Sequence, residues 1–401
     1  MTTTRIVALT ALIFVGLAAS AVAAGAAYNA LSVLRYRVVA GVPGKLYRIG
    51  GHVMHLYCTG EGSPAVILSA GLGDDSLIWA KVQPELSKST TVCSYDRAGF
   101  GWSDPRPGQQ DADVIASQLH DLLATAGISR PFILMGHSIS GLYLRAYAAR
   151  YPSDLAGLVF VDGATPLQDT RVPLALVQIQ DEQRRGMPWS KMRMTLGWNR
   201  LTGHCTSVKP GFERYSAWIK ADSCIPSQID AIENELDAER VSGEQTLHAH
   251  PPHDLPVLIL SRDPKVLPSN WPAAIAKANS LVWNTMQEEA KGLSGHSRRI
   301  IAKGSDHYLQ IDRPDLVNRE VASFIDQVRR RDVSALDGST TEECREFKSS
   351  SERTLQRSGF GGGTRRGWLD TFPLDRPRPR SDRWPVPGIH CAQSVLSPSP
   401  R

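Results

Sequence analysis

The sequence predicts an α/β fold with a mostly parallel sheet that is covered by helices on both faces. Two observations lead to this prediction: short strands alternate with amphipathic helices along most of the chain, and the strands are apolar throughout. A strand that is apolar on both faces has to be covered on both faces. A chain of 401 residues is long enough for one such domain with an insertion.

The elements follow in a regular order, beginning with a hairpin over residues 45–58 that turns at Gly50 and Gly51. Further strands are predicted at residues 65–69, 91–95, 132–135, 158–161, 255–260 and 299–302. Helices are predicted at residues 77–88, 111–126, directly after Ser138, and 315–329.

The alternation stops between the strands 158–161 and 255–260. We interpret residues from about 165 to 253 as a helical cap insertion that forms an apolar lid over Ser138, the candidate nucleophile described below. The alternative is a helical subdomain whose Met and Trp side chains pack its own core. The side chains concerned are Met187, Trp189, Met192, Met194, Trp198 and Trp218.

Both ends of the chain differ from the domain between them. Residues 1–37 predict a signal sequence or a membrane anchor, because residues 6–27 are apolar and long enough to cross a bilayer. The small residues of Ala21-Val22-Ala23 favour cleavage, whereas the length of the run favours an anchor, which we prefer. Residues 332–401 are rich in Ser, Gly and Arg-Pro pairs and predict a disordered tail. The net charge of +5 gives no reason to expect a nucleic-acid partner.

Ser138 stands where the strand 132–135 gives way to a helix. Such a junction strains the backbone and tolerates only small residues two positions before and after, here Gly136 and Ser140. The turn exposes the hydroxyl, and the following helix directs free N–H groups toward a developing oxyanion. The segment is therefore typical of a nucleophilic serine.

The order of four motifs resembles the α/β-hydrolase fold family over about residues 46–329. These motifs are Gly71-Leu72, the block Asp96-Arg97-Ala98-Gly99-Phe100-Gly101-Trp102-Ser103-Asp104, the Ser138 turn and Gly304-Ser305-Asp306-His307-Tyr308. The resemblance is strongest to bacterial cap-bearing serine hydrolases with an N-terminal apolar segment. It implies an eight-stranded sheet within a domain over residues 44–331.

The resemblance assigns a Ser-His-Asp catalytic triad. Ser138 is the expected nucleophile and His307, after the last strand, the expected base. For the acid that orients the imidazole, we expect Asp263, after the strand 255–260. The alternative acid is Asp162, after the preceding strand, because some relatives take their acid from there.

The oxyanion hole implied by the resemblance consists of the backbone N–H groups of Leu72 and Ile139. The block from Asp96 to Asp104 is expected to be structural. We expect no cofactor and no metal. The sequence His248-Ala-His250-Pro-Pro-His253 offers three potential ligands, but its prolines and the lack of a nearby cysteine favour an exposed linker.

Cysteines indicate the compartment. In the sheet order that the resemblance implies, Cys58 and Cys93 lie on neighbouring strands, and Cys205 and Cys224 bracket the middle of the insertion. Two disulfides would indicate an oxidising, extracytoplasmic location, whereas buried free thiols are the alternative. The excess of Lys and Arg after the apolar run would instead place the domain of an uncleaved anchor inside the cell. We give the cysteines more weight and expect a membrane-anchored or secreted protein.

The predicted function is hydrolysis of a carboxylic ester with an apolar portion, a small-molecule substrate, through an acyl-enzyme. Amide, peptide or thioester hydrolysis and perhydrolysis are the alternatives within the class. Epoxide and haloalkane hydrolysis are disfavoured, because those relatives attack with an aspartate where this chain has Ser138. A membrane-tethered binding protein without turnover is the alternative from another class. An uncleaved N-terminal segment would add the membrane as a partner.

Overall fold

Eight strands form one sheet in the computed structural model, which describes residues 3–331. The strands are β1 (Lys45–Ile49), β2 (His52–Thr59), β3 (Val66–Ser69), β4 (Val92–Asp96), β5 (Phe132–His137), β6 (Leu155–Val161), β7 (Val257–Arg262) and β8 (Ser297–Ala302). Their order is β1-β2-β4-β3-β5-β6-β7-β8. β2 is antiparallel to both neighbours, and all remaining pairs are parallel. The predicted mostly parallel, eight-stranded sheet is confirmed.

Helices connect the strands and cover the sheet. They are α1 (Thr3–Ala40), α2 (Gln83–Leu86), α3 (Ala112–Ala126), α4 (Ser140–Arg150), α5 (Gln168–Arg171), α6 (Leu174–Arg185), α7 (Met187–Thr195), α8 (Trp198–Leu201), α9 (Ser216–Asp222), α10 (Ser227–Thr246), α11 (Ala273–Glu289), α12 (Leu309–Asp312) and α13 (residues 314–331). Single 3-10 turns lie at Ser76–Trp79, Pro152–Asp154, Glu213–Tyr215 and Ala290–Leu293.

The central strands are buried at every position because both faces are covered. In β3, Ile67 belongs to the core that α3 and α4 complete. Its neighbours Val66 and Leu68 point the other way, into the core that α2 and α13 complete. This arrangement gives the sheet a buried layer on each side.

The predicted helix over residues 77–88 is interrupted. The structure has a 3-10 turn at Ser76–Trp79 and then the short α2. Pro84 lies in the first turn of α2, where its missing N–H is not needed. A helix that continued from residue 77 would need that N–H, so the proline divides the segment.

The chain between β6 and β7 leaves the sheet and forms α5 to α10, which we call the helical insertion. These helices lie within residues 165–253, the predicted cap segment. The long α10 packs against α3 and α4. The insertion is thereby attached to one face of the domain through its last helix.

α1 has two distinct parts. Its N-terminal stretch is exposed, and among residues 3–331 α1 is the one helix whose length and mean hydropathy suffice to cross a bilayer. Its C-terminal part packs on α9. The buried Asn29 donates to the Cys224 carbonyl at 3.4 Å and accepts from Arg200 Nε at 3.1 Å, and Trp218 Nε1 donates to the Ala40 carbonyl at 3.2 Å.

Two cysteine pairs lie at disulfide distance. Cys58 and Cys93 face each other across β2 and β4, with sulfur atoms 2.05 Å apart. Cys205 and Cys224 join the segment after α8 to the end of α9, with sulfur atoms 2.11 Å apart. These are the two pairs that the sequence suggested. The predicted tail over residues 332–401 lies outside the described residues.

The Cys205–Cys224 disulfide should stabilise the fold measurably. We expect Cys205→Ala/Cys224→Ala to lower the free energy of unfolding by about 3 kcal/mol, because the bond restricts the unfolded chain over a loop of some 19 residues. Urea unfolding of the full chain in detergent, followed by circular dichroism, measures the loss. Cys58→Ala/Cys93→Ala, which opens a loop of 35 residues, is the comparison and should lose at least as much. Unchanged unfolding of the first variant would contradict the expectation.

Candidate active site

Ser138 lies between the end of β5 and the start of α4, with its backbone in the left-handed region at φ 54°. The turn is tight, since a Cβ at Gly136 would lie 2.8 Å from the Cβ of Ser140 and 2.6 Å from the Leu144 side chain. The hydroxyl of Ser138 reaches a cavity of about 610 Å³ above the sheet. The turn thus presents the Ser138 hydroxyl to this cavity.

Ser140 has a use that the sequence did not suggest. Its hydroxyl donates to the Ala70 carbonyl at 2.5 Å and lies 2.8 Å from the hydroxyl of Ser69. A glycine at this position could not make either contact. The side chain therefore fastens the turn at Ser138 to the loop that follows β3.

His307 lies in the loop between β8 and α12 and connects two side chains. Its Nε2 is 2.9 Å from the Ser138 hydroxyl, and its Nδ1 is 2.6 Å from Oδ2 of Asp162. The ring packs edge-on against Trp283, with centroids 5.8 Å apart. The carboxylate fixes the imidazole with Nδ1 protonated, which leaves Nε2 free to accept the serine proton.

Asp162 is completely buried and uses both carboxylate oxygens. Besides His307, it accepts from the Arg262 N–H at 3.0 Å and from Trp283 Nε1 at 2.9 Å. Burial alone would raise the pKa of Asp162, but the hydrogen bond from His307 and the nearby charge of Arg262 lower it below the ordinary value. The carboxylate is therefore ionised beside the imidazole.

In the structure the carboxylate beside His307 belongs to Asp162, the alternative acid, and not to Asp263, the preferred one. Asp263 instead accepts the backbone N–H groups of Lys265 at 2.9 Å and Gly304 at 3.0 Å. Both aspartates follow neighbouring parallel strands, so chain order could not separate them. Asp162 follows β6, which is paired directly with the strand that carries Ser138, and its left-handed backbone at φ 45° turns the carboxylate toward His307.

The expected oxyanion-hole residues, Leu72 and Ile139, line the same cavity as Ser138 and His307. Within residues 3–331, the backbone N–H of neither residue donates to a protein acceptor. Ile139 is the N-cap of α4, so its N–H lies at the positive end of that helix. Both groups are available to a ligand atom in the cavity.

Arg97 fixes the loop that contains Leu72 through hydrogen bonds to its backbone. Its guanidinium donates to the carbonyls of Ala70 at 2.6 Å and Gly71 at 2.7 Å, and forms a two-pronged pair with Glu235 of α10 at 2.6 and 3.0 Å. Arg97 and Glu235 are both buried. The sequence predicts a structural role for the block from Asp96 to Asp104 and no individual role for Arg97. An arginine directly after a buried strand was the signal that a buried acid would be found nearby.

His137 supports the His307 loop as a neutral ring. Its Nε2 lies 3.0 Å from the His307 carbonyl, which only accepts, so Nε2 carries the proton. Burial and the neighbouring His307 lower the pKa of His137 to about 3. Its Nδ1 is 3.8 Å from Asp74, whose pKa is raised to about 7 by burial and by Asp75.

The helical insertion forms one wall of the cavity, but of the six side chains that the sequence suggested for a lid only Met187 lines it. Met187 lines the cavity, together with Leu176 and Val177 of α6. Trp189 and Trp198 are instead 61% and 54% exposed. The wall is therefore built mainly from α6, and the large side chains of α7 and α8 face outward.

The His248–His253 segment lies away from these groups. His248 and His250 are exposed, and His253 packs on Gly295. Over residues 3–331, no three His, Cys, Asp or Glu side chains converge as metal ligands would.

Comparisons with known proteins give one consistent family. A family model described as alpha/beta hydrolase fold matches residues 64–314. An uncharacterized protein of Schizosaccharomyces pombe is 40% identical over 84 residues, which cover 21% of this chain and 16% of that protein. This chain thus spans about a sixth of that relative's length.

Two solved structures resemble most of the described chain. A candidate lipase of Acinetobacter baumannii has a TM-score of 0.52 at 17% identity and covers 76% of this chain and 97% of its own. A candidate epoxide hydrolase of Pseudomonas aeruginosa has a TM-score of 0.53 at 16% identity, with 71% and 96% covered. At these identities the likeness shows the fold.

The two aspartates can be distinguished by the reactivity of Ser138 toward a fluorophosphonate, which labels only an activated serine. Asp162→Asn should slow labelling by about 10²- to 10⁴-fold, because the amide favours the wrong imidazole tautomer and cannot stabilise its charged form. Asp263→Asn, the matched control, should slow it by less than about threefold, because Asp263 contacts only backbone N–H groups. Equal effects of the two substitutions would contradict the hydrogen-bonding pattern.

Burial of neutral His137 should make stability depend on pH. The unfolded chain binds a proton at this residue below pH 6.5, whereas the folded chain does so only near pH 3. The wild type should therefore lose stability relative to His137→Gln by about 1.4 kcal/mol per pH unit between roughly pH 6 and 4. Urea unfolding of both proteins at several pH values measures this difference.

The comparison has to be made between the two proteins, because Asp74 acts in the opposite direction. Its raised pKa of about 7 favours folding at low pH and loses that contribution as the pH rises. Because Asp74 is present in both proteins, its contribution to the difference in the free energy of unfolding cancels to first order. The difference measured at pH 7.5 is the reference, and parallel curves down to pH 4 would show that His137 is protonated in the folded state.

Proposed function

Because this chain belongs to the α/β-hydrolase fold family, we propose that it is a serine hydrolase that cleaves carboxylic esters through an acyl-enzyme. Its family supports hydrolase chemistry in general, and the ester specificity is our proposal. The observation that carries it is the chain of hydrogen bonds from Ser138 through His307 to Asp162, at 2.9 and 2.6 Å, beside two N–H groups without an acceptor among the described residues.

In the first half of the reaction, the Ser138 oxygen attacks the ester carbonyl while its proton moves to Nε2 of His307. Asp162 accepts from Nδ1 and stabilises the imidazolium. The N–H groups of Leu72 and Ile139 stabilise the negative carbonyl oxygen. When the bond to the alcohol oxygen breaks, that oxygen takes the proton from Nε2, and the acyl group remains on Ser138.

In the second half, water attacks the acyl-enzyme. Its proton moves to Nε2 of His307 as the oxygen adds to the acyl carbon, and the same N–H groups stabilise the second oxyanion. The bond to the Ser138 oxygen then breaks, and that oxygen recovers the proton. The products are a carboxylic acid and free enzyme.

The cavity supports a substrate with an apolar portion. Its volume of about 610 Å³ falls in the range of small-molecule sites. Leu176 and Val177 of α6 and Trp283 of α11 give it apolar walls near the nucleophile. We propose that the helical insertion acts as the cap that encloses this part of the substrate.

The side chain at position 138 argues against epoxide opening. The family members that open epoxides attack with an aspartate, whose carboxylate forms an ester with the substrate. Ser138 instead has a hydroxyl that is within hydrogen-bond distance of an imidazole, which suits attack on a carbonyl.

We place the enzyme at a membrane, with its catalytic domain in an oxidising compartment. Two disulfides in the described chain support this compartment. The exposed apolar part of α1 supports attachment to the bilayer.

Hydrolysis of nitrophenyl esters from acetate to palmitate by the purified full chain tests the proposal. The wild type should hydrolyse at least part of the series, and its optimum reports the size of the acyl site. Ser138→Ala should lower kcat/KM by about 10³-fold or more, because it removes the nucleophile.

Ser153→Ala is the matched control. Ser153 is exposed at the opposite end of β6, before its first residue, and its replacement should leave kcat/KM unchanged. Activity that survives in Ser138→Ala would refute the assignment of the nucleophile. A folded wild type that hydrolyses none of the esters would refute ester hydrolysis and leave amides or ligand binding as the functions to examine.

A further inference from the structure

Two short helices of the insertion, α7 and α8, each carry a pair of exposed apolar side chains. Trp189 and Met192 are 61% and 41% exposed and lie three residues apart on α7, so they share one face. Trp198 and Leu201 are 54% and 65% exposed and share one face of α8 in the same way. Trp189 and Trp198 are the two tryptophans with this degree of exposure in residues 3–331. We call these four side chains the tryptophan patch.

The tryptophan patch lies beside the point at which α1 separates from the domain. A Cβ at Gly25 of α1 would lie 2.5 Å from the Leu196 carbonyl, directly after α7. A Cβ at Gly197, directly before α8, would lie 2.9 Å from the Tyr28 ring of α1. Both helices of the patch therefore meet α1 at residues 25–28. Trp189 is seven residues before Leu196, which is about 10 Å along a helix.

The same point is the boundary of the apolar stretch of α1. From residue 4 to 24 the helix is exposed on all sides, and burial against the domain begins at Gly25. The 22 residues from Thr3 to 24 would extend about 33 Å, close to the roughly 30 Å thickness of the hydrocarbon core. If this stretch spans the bilayer, Gly25 lies at its surface, and so does the insertion packed against it.

Tryptophan is enriched at that depth in membrane proteins, because its ring is amphipathic. Exposed apolar patches on soluble surfaces are uncommon and mark contacts with partners or membranes. Continuity with α1 selects the bilayer as the occupant, since both patch helices adjoin the helix that would enter it.

The first turn of α7 contributes both to the wall of the cavity and to the tryptophan patch. Met187, the first residue of α7, lines the cavity that contains Ser138, and Trp189, two residues later, is exposed in the patch. On α6, Leu176 and Val177 line the cavity, whereas Leu174 is 71% exposed. α6 and the start of α7 therefore contribute to both the wall of the cavity and the surface beside the patch.

We propose that the tryptophan patch rests on the bilayer beside α1 and that the enzyme takes a long-chain carboxylic ester directly from the lipid leaflet through the α6–α7 wall. This inference rests on the proposed ester hydrolysis for its substrate class. Its membrane contact is independent of that activity. An ester in the bilayer brings its acyl chain to Leu176, Val177 and Met187 of this wall without crossing water. A short soluble ester reaches the cavity from water and does not use the patch.

The test compares the full chain with Trp189→Ser/Trp198→Ser, both reconstituted in phosphatidylcholine vesicles. Two substrates are used: a long-chain monoacylglycerol dissolved in the bilayer, and nitrophenyl butyrate in the aqueous phase. The variant should lose roughly fivefold or more in turnover of the bilayer substrate, because the patch no longer holds the wall on the leaflet. Its turnover of the soluble ester should change by less than about twofold, because Trp189 and Trp198 are surface residues away from the reacting groups.

Leu247→Ser is the matched control. Leu247 is 38% exposed at the C-terminal end of α10, whose 20 residues extend about 30 Å from the end that adjoins α9 and α1. This substitution removes an exposed apolar side chain far from the patch. It should leave turnover of both substrates unchanged.

A second measurement does not depend on hydrolysis. Lipids brominated near the headgroup should quench part of the wild-type tryptophan fluorescence, and most of this quenching should disappear in Trp189→Ser/Trp198→Ser. Equal quenching of both proteins would overturn the membrane contact, as would an equal loss of turnover on both substrates. If the wild type hydrolyses neither ester while the patch-dependent quenching persists, the proposed ester hydrolysis and the substrate part of this inference fail, and the membrane contact is supported.

Discussion

The register between β5 and β6 is the constraint on which the rest of the site depends. His137 pairs with Val161, so the next residue on each strand, Ser138 and Asp162, leaves the sheet at the same level. Both have left-handed backbones, which cost on the order of 1–3 kcal/mol each and persist only where surrounding contacts enforce them. The Ser138 N–H donates to the Val161 carbonyl and its own carbonyl accepts from Ala164, so the two turns hold each other in place. His307 then only has to bridge two side chains that the sheet has already positioned.

The pKa values of two carboxyl groups near the site, Asp162 and Asp74, differ because the two groups differ in hydrogen-bond donors. Asp162 has three hydrogen-bond donors and the charge of Arg262 within reach, and its pKa falls although it is completely buried. Asp74 faces His137 without a hydrogen bond between them, and its pKa rises. Asp162 is therefore an anion beside the imidazole of His307, whereas the raised pKa of Asp74 favours its neutral form. The ring of His137, beside Asp74, is also neutral, because a charged ring at that position would repel a protonated His307.

Local patterns were sufficient to predict the alternation of strands and helices and the turn at Ser138, because these depend on residues close together in the chain. The order of the eight strands, and with it the Cys58–Cys93 pair, came from the resemblance to the family. The choice between Asp162 and Asp263 could not be made that way. It depends on the direction in which a carboxylate leaves the end of a strand, which is set by one backbone conformation. The outward orientation of Trp189 and Trp198 was equally hidden, since a short helix rich in large apolar residues is compatible with packing inward or outward until its neighbours are known.

The attachments of the insertion differ in strength along its length. α10 is joined to the sheet by the buried pair of Arg97 and Glu235, and a buried pair is costly to break. α6 and α7 are held on α10 by exposed ion pairs, which contribute between nothing and about 1 kcal/mol each. These pairs are Arg184–Asp237 and Lys191–Asp230. Contacts of α6 with α11 and of α7 with α1 add to these pairs. We therefore expect α6 and α7 to be displaced at a lower free-energy cost than α10, the loop that Arg97 holds and the Ser138 turn. Substrate access and catalytic geometry then depend on different contacts in this fold.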